Sequence, residues 1–407
     1  TYNCNSFNIY TIKTDRFKTS HLEVIFKNVL KKEEIGTYSF LADMLSEGCK
    51  KYPRKKDLIT RFEELYKIVI YASTMRVGNV IDLHVSLDFI NPEYIEDEGY
   101  IEDVIKTLFE VILNPNVCND EFDLKTFNIV KERLRREINS LKENPVKQSI
   151  KEAIKTMDSN SPTSYEILGT IEELENITPA KLYNAYKSLR KNFKVDVFLI
   201  GNLDMDNVAS LIKKYFKNRY IVSDNFEVMV DNKETKKVKE KAMKSDNIQT
   251  NLVMLFNLKN LSELEKNITL NCFNYLYGSG GLTSKLYKSI REENSLCYAI
   301  NSMYLKYDKL LMVQISLDNC NVKIAISLVK KELKSMQNGN FSEEEVRDAI
   351  NNMVISLDMS LDNNIAILNN YVFNIYDKLP SIEERKEYFK KLTKEDIVNV
   401  SKKVKLN

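Results

Sequence analysis

Gly278-Ser279-Gly280-Gly281-Leu282-Thr283-Ser284-Lys285-Leu286-Tyr287-Lys288-Ser289-Ile290-Arg291-Glu292-Glu293-Asn294-Ser295-Leu296-Cys297-Tyr298 is the stretch on which the reading of the fold turns. Glycine tolerates positive φ and close backbone approach, so Gly278, Gly280 and Gly281 suit a turn that opens a helix beside a ligand. Leu282, Leu286 and Ile290 recur at i, i+4 spacing and predict one apolar face on that helix. Arg291 and Tyr298 fall at its far end, seven residues apart. The local pattern equally describes a helix start after a flexible turn, with an exposed Arg and a half-buried Tyr. It excludes a phosphate loop, which needs Lys before Ser or Thr, because here Lys285 follows Ser284.

Working outward, the same landmarks occur earlier in the chain. Leu22-Glu23-Val24-Ile25-Phe26 is echoed by Leu252-Val253-Met254-Leu255-Phe256, Gly48 by Gly278, and Val85-Ser86-Leu87-Asp88 by Ile315-Ser316-Leu317-Asp318, each 230 positions on. One offset held across three landmarks reads as a duplicated domain. In the first copy, residues 6–30 read as a β-hairpin turning at Asp15–Thr19. Residues 33–50 read as a helix with Tyr38, Leu41, Leu45 and Cys49 on one face, and 57–66 as a shorter one. Ile81, Leu83, Val85, Leu87 and Phe89 alternate with Asp82, His84, Ser86 and Asp88, the pattern of a half-buried strand with a polar face. Helices are expected at 98–114, 119–143, 147–157 and 204–216, with a buried strand at Val195–Gly201. Thr178-Pro179 marks a helix start, while Ser342 and Thr393 open capping boxes. The second copy reaches Asn407 where the counterpart of Val195–Gly201 would begin, so its final strand is expected to be missing.

The resulting expectation is an α+β chain: domain 1–218, a charged linker at 219–244, and domain 245–407, each an antiparallel sheet with helices on one face.

Composition narrows the function. Lys and Arg number 60 against 58 Asp and Glu, so no global field steers the chain to nucleic acid. No apolar run is long enough for a membrane span. Six cysteines without a Cys-x-x-Cys pair, in a chain this large, read as buried free thiols in a reducing cytoplasm. The two histidines, His21 and His84, leave little room for a His-rich metal site or a His-based nucleophilic pair. Both fall on strands, away from any second His, and read as hydrogen-bonded or solvated side chains.

The Gly-rich turn, the Ser284-Lys285-Leu286 helix and the Arg291/Tyr298 pair together resemble the second-domain segment of the pitrilysin/insulinase-type zinc metallopeptidases. The resemblance extends over essentially the whole duplicated chain. It implies a first-domain helix carrying His-x-x-Glu-His, two metal ligands one turn apart and a general base, with a further Glu ligand from a downstream helix. Registered on Met44 and Gly48, that motif falls on Ser39-Phe40-Leu41-Ala42-Asp43. Ser39 and Asp43 stand at the two His positions and Ala42 at the Glu position, leaving Glu137 as the one remnant acid of the ligand set. Ala42 cannot take a proton from water, and zinc prefers an imidazole-rich site, so no metal is expected here.

The resemblance is therefore to the silent chain of two-chain processing peptidases. It implies a catalytic insulinase-family partner with an intact metal motif and its own zinc, and a short or unfolded peptide as substrate. Arg291 and Tyr298 would contact that peptide beside the partner's zinc, with Gly278, Gly280 and Gly281 lining the chamber. The competing reading is a non-enzymatic scaffold or peptide-binding protein of the same descent.

Overall fold

The computed structural model describes every residue except 218, 219, 224 and 233–236. The first half runs β1 (Tyr2–Cys4), β2 (Phe7–Lys13), β3 (Thr19–Val29), α1 (Ile35–Leu45), α2 (Lys55–Glu64), β4 (Val69–Val77) and β5 (Val80–Ile90). It continues with α3 (Tyr100–Leu113), a small ribbon of β6 (Val117–Cys118) and β7 (Glu121–Phe122), α4 (Leu124–Glu143), α5 (Pro145–Asp158), α6 (Ile171–Glu175), α7 (Pro179–Asn192), β8 (Lys194–Gly201) and α8 (Met205–Tyr215). The second half runs β9 (Thr250–Leu258), α9 (Leu270–Asn274), β10 (Cys297–Leu305), β11 (Leu310–Leu317), α10 (Val322–Gln337), α11 (Glu343–Ser360), α12 (Asn364–Asp377), α13 (Ile382–Lys390), α14 (Lys394–Ser401) and β12 (Val404–Leu406).

The chain divides into two units. The first comprises Thr1–Ser140, Tyr165–Val228 and Asp362–Ile375; the second comprises Leu141–Ser164, Met229–Leu361 and Tyr376–Asn407. Each half thus gives a helical segment to the other unit: α5 belongs to the second, most of α12 to the first. The boundary expected at 218/219 lies outside the described residues, as do parts of the expected linker. Two of its described residues are hydrogen-bonded to the units. Val228 accepts from the Asn79 amide in the first unit, and Val230 donates to Tyr307 O in the second.

The sheet of the first unit has the order β1-β2-β8-β3-β5-β4. The hairpin expected over 6–30 does not form. β8 inserts between β2 and β3, parallel to β2 and antiparallel to β3, so the turn at Asp15–Thr19 is a crossover. The core-facing side carries Leu22, Val24 and Phe26, Leu83, Val85 and Leu87, and Val195, Val197 and Leu199, packed against α1, α3, α7 and α8. The other side is polar, as the alternation predicts, but it is buried and not solvated. His84 pairs with Glu23, His21 with Asp88, and Lys27 with Asp196. Thr178 caps α7 through the Lys181 amide with Pro179 in its first turn, as expected.

The sheet of the second unit has the order β10-β11-β9-β12. β4-β5-β3 and β10-β11-β9 share antiparallel topology, but their registers differ. Leu22 faces Leu87, whereas Leu252 faces Ile315, two residues short of the partner a single offset would give. A slip of two keeps every side chain on its own face, so the apolar pattern tolerates it. The sheet is covered twice. Met254, Phe256, Val313 and Ile315 meet α9, α10 and α14, while Ile154 and Met157 of α5 cover Leu255, Leu310 and Met312 on the other face. The final strand is present in short form, β12 pairing with β9. Both capping boxes form as expected. All six cysteines are free; Cys118 and Cys320 are exposed, unlike the buried thiols expected.

Candidate functional site

The degenerate metal motif lies on α1 in the first unit. Ser39, at the first ligand position, is buried; its hydroxyl donates to the Ile167 carbonyl and lies 2.6 Å from Thr74 Oγ1. Ala42 is buried among apolar neighbours and offers no proton acceptor. Asp43 turns toward α4, where Arg133 Nη2 donates to its Oδ2 at 3.2 Å. Nη1 of the same guanidinium donates to Glu47 Oε1 at 2.8 Å. Burial pushes the Asp43 carboxyl up from its ordinary value, and Arg133 works against that rise. Burial disfavours the Arg133 charge, but the two carboxylates outweigh it and raise its pKa.

Glu137, the expected remnant ligand, is exposed one turn further along α4. His21 and His84 are both engaged with sheet carboxylates. Among the described residues no group of three or more His, Cys, Asp or Glu side chains could hold a metal ion. The donor set at the motif does not fit zinc: it has no imidazole, a hydroxyl committed to a carbonyl, and a carboxylate committed to an arginine. A cavity beside α1, lined by Met44, Gly48, Phe122 and Thr126, holds ≈ 10 Å³, the space of about one water.

The Arg/Tyr pair lies in the second unit. Its glycines do not open a helix over a ligand as expected. Gly278 sits inside a wide π-helical turn, Tyr275–Ser279, that closes the preceding helix. It is buried, and a Cβ there would stand 2.6 Å from Ser302 Oγ and 2.9 Å from Leu286 Cδ1. Close packing of helix on β10 is what requires Gly278, and its burial removes it from any substrate surface. A Cβ on Gly280 would meet Tyr275 O at 2.6 Å, so it too is a packing glycine. Gly281 is exposed at φ 58° with nothing within 4 Å of a Cβ. Leu282 leaves the expected apolar face: it is 65% exposed, while Leu286 and Ile290 are fully buried. A short 3₁₀ turn, Gly281–Thr283, separates it from the next helical segment and swings it outward.

Arg291 ends a second wide turn, Tyr287–Glu292, and its guanidinium lies 5.5 Å over the Tyr287 ring. The chain then reverses. Ser295, at φ 51°, donates to Arg291 O at 3.0 Å, and Leu296 N donates to Ile290 O at 2.9 Å. Burial raises the Cys297 thiol, with the Arg291 charge opposing it, so Arg291 acts on the residue next to Tyr298.

Tyr298 occupies a β-bulge. Cys297 pairs with Leu317 and Ala299 with Ser316, leaving Tyr298 as the extra residue of β10, an edge strand. Bulges re-aim a side chain next to binding sites, and Tyr298 is exposed. Its hydroxyl donates to Asp318 Oδ1 at 3.2 Å and lies 3.4 Å from Oδ2. That hydrogen bond raises the phenol pKa, keeping it neutral. The sequence pointed to Arg291 and Tyr298 as candidates but not to Asp318, Arg133 and Glu47. Asp318 carried a signal as the last residue of the repeated Ile315–Asp318 motif; Arg133 and Glu47 carried none.

A family model described as the peptidase M16 inactive domain matches residues 176–353. A Bacillus subtilis (strain 168) protein described as the probable inactive metalloprotease YmfF is 25% identical, covering 98% of this chain and 93% of its own length. A conserved protein of Enterococcus faecalis V583 superposes with a TM-score of 0.93 at 22% identity, over 99% of this chain and 95% of its own. A peptidase M16 inactive domain from Pseudomonas fluorescens superposes at 0.76 and 17% identity, over 96% and 91%. The fold is that of M16-type peptidases, and the segment at the position of their metal motif carries Ser39, Ala42 and Asp43. Residues 176–353 thus match the model of the peptidase M16 inactive domain, and the chain over nearly its whole length is similar to a probable inactive metalloprotease. No helix among the described residues is long and apolar enough to cross a membrane.

Proposed function

We propose that the chain is the substrate-binding, non-catalytic subunit of a two-chain zinc peptidase that processes short or unfolded peptides. Its partner is an insulinase-family chain with an intact metal motif, which supplies the zinc and the general base. The observation that carries this reading is Tyr298: the protein retains it exposed on a bulge of an edge strand and orients it through Asp318, while the metal motif on α1 is gone.

The donor count divides the work between the pair. A phenol has one proton, and Tyr298 gives it to Asp318, so its oxygen offers lone pairs to a peptide N–H. Arg291 carries five donors and no acceptor, so it is the group that meets a peptide carbonyl or the oxyanion that develops there. Both act by holding an extended backbone in place. No step of bond cleavage runs through this chain's own residues.

The test is peptide cleavage by the reconstituted pair. Arg291→Ala is expected to lower turnover by up to roughly 100-fold, as for other lost oxyanion donors. Tyr298→Phe, which removes an acceptor, costs less. Assembly by gel filtration and the partner's zinc content stay unchanged. Wild-type turnover in the double variant would reject the subunit role and favour a scaffold without a catalytic task.

A further inference from the structure

We propose that the Arg133 guanidinium is a built-in cation that takes over, between α1 and α4, the clamping charge that a metal ion supplies in active members of this family. The resemblance places metal ligands on the first-domain helix and on a downstream helix; here those elements are α1 and α4. Arg133 joins the same two helices, with Nη2 3.2 Å from Asp43 Oδ2 and Nη1 2.8 Å from Glu47 Oε1. Asp43 stands at the second His position of the motif, in the last turn of α1, and Glu47 in the turn that follows it, so both carboxylates meet Arg133 at the C-terminal end of that helix.

The charges balance without a metal. Two carboxylates meet one guanidinium and, 3.9 Å from Glu47, the Lys55 ammonium. A planar guanidinium can span two carboxylates where a point charge cannot. Glu137, which the motif leaves as a remnant ligand, is exposed on α4 and takes no part. Ser39 completes the conversion: at the first ligand position it ties α1 to Ile167 and Thr74. Only Ala42, the position of the general base, has become inert. The metal's chemistry has been deleted and its mechanical task kept.

Thermal unfolding of the full-length chain tests this, with and without millimolar manganese chloride. Arg133→Met is expected to lower the melting temperature of the first unit by about 3–6 °C, since it leaves two half-buried carboxylates facing each other. Arg133→Lys falls between, because an ammonium reaches one carboxylate. The triple variant R133M/D43N/E47Q regains at least half the loss, because no carboxylates are left facing each other and the Lys55 ammonium is exposed to water. Manganese raises the melting temperature of Arg133→Met, whose carboxylates are vacant, and leaves the wild type unmoved. Four results each overturn the proposal: an Arg133→Met shift within about 1 °C; a triple variant no more stable than Arg133→Met, which would place the loss in methylene packing; no manganese response in Arg133→Met; or an equal response in the wild type.

Discussion

His84 makes the stability of the first unit depend on pH above neutrality. Its Nδ1 lies 2.8 Å from Glu23 Oε1 and its Nε2 3.8 Å from Asp82 Oδ2. The three side chains are at most 10% exposed. Burial alone would lower the imidazole pKa, but the two carboxylates outweigh it and carry it from 6.5 up to about 9. A pKa raised on folding stabilises the charged form. The contribution is fully present below pH 6.5 and is lost as pH rises through about 9. At about 1.36 kcal/mol per pH unit, the span between those values comes to about 3 kcal/mol. Glu23 behaves in the opposite sense. Although burial would raise its pKa, His84 holds it below the ordinary carboxylate value, so its share is present above that value and is lost on acidification. The assay is urea unfolding at pH 6.0, 7.5, 9.0 and 9.5 for the wild type and His84→Gln. Tyrosines and thiols titrate alike in both, so the difference isolates the cluster. His84→Gln is expected to cost about 3–5 kcal/mol at pH 6, because it takes from the buried Glu23 the cation that its carboxylate faces. The gap should narrow by about 3 kcal/mol by pH 9.5. A constant gap across this range would show that His84 is neutral in the folded protein, and the argument would fail.

Two further outcomes follow from the packing. Gly278→Val forces methyl groups onto Ser302, whose hydroxyl is held 2.6 Å from Asn274 Oδ1, and is expected to lower the melting temperature by about 4–10 °C. Gly281→Ala adds only positive-φ strain in open space and should cost less than about 4 °C by the same calorimetry; equal shifts would contradict the packing role of Gly278. A fragment of residues 1–218 carries α5 without β9 and β11, leaving Ile154 and Met157 bare, and lacks residues 362–375. It should bind a hydrophobic dye and aggregate unless co-expressed with 219–407; a monomeric, cooperatively melting fragment would refute the helix exchange.

The elements were legible where the pattern was periodic and local. The cap at Thr178 and the boxes at Ser342 and Thr393 each depend on residues within a turn of one another, whereas the helix expected over 33–50 with one apolar face ends at Leu45, leaves Cys49 outside it and is buried everywhere but at Thr37 and Asp43. The partners of those elements were not. β2 and β3 are neighbours in sequence with alternation and a polar turn, yet β8 enters between them from more than 160 residues away. Strand alternation states which face is apolar and says nothing about which strand lies alongside. The exposure of the polar face was misread for a related reason. Asp82, His84 and Ser86 are hydrophilic by type, but each is buried, and Glu23 supplies hydrogen bonds to His84 and Ser86 across the sheet. Buried polar groups need partners, and alternation within one strand cannot reveal the facing strand that supplies them.

The functional positions divide along the same line. Ala42 alone shows that no side chain there can accept a proton from water, whatever surrounds it. What replaced the lost chemistry depends on residues about 90 positions apart, since Asp43 gains its meaning only from Arg133. Tyr298 repeats this contrast at the other site. Its spacing from Arg291 was readable, but whether its hydroxyl has a proton left to donate is decided by Asp318, 20 residues on and just past the end of β11. A tyrosine with a free hydroxyl and one bonded to a carboxylate have the same sequence and opposite hydrogen-bonding roles. The spacing of the two residues was therefore open to sequence, while the hydrogen-bonding state of the phenol required the residue after the neighbouring strand and the bulge that exposes Tyr298.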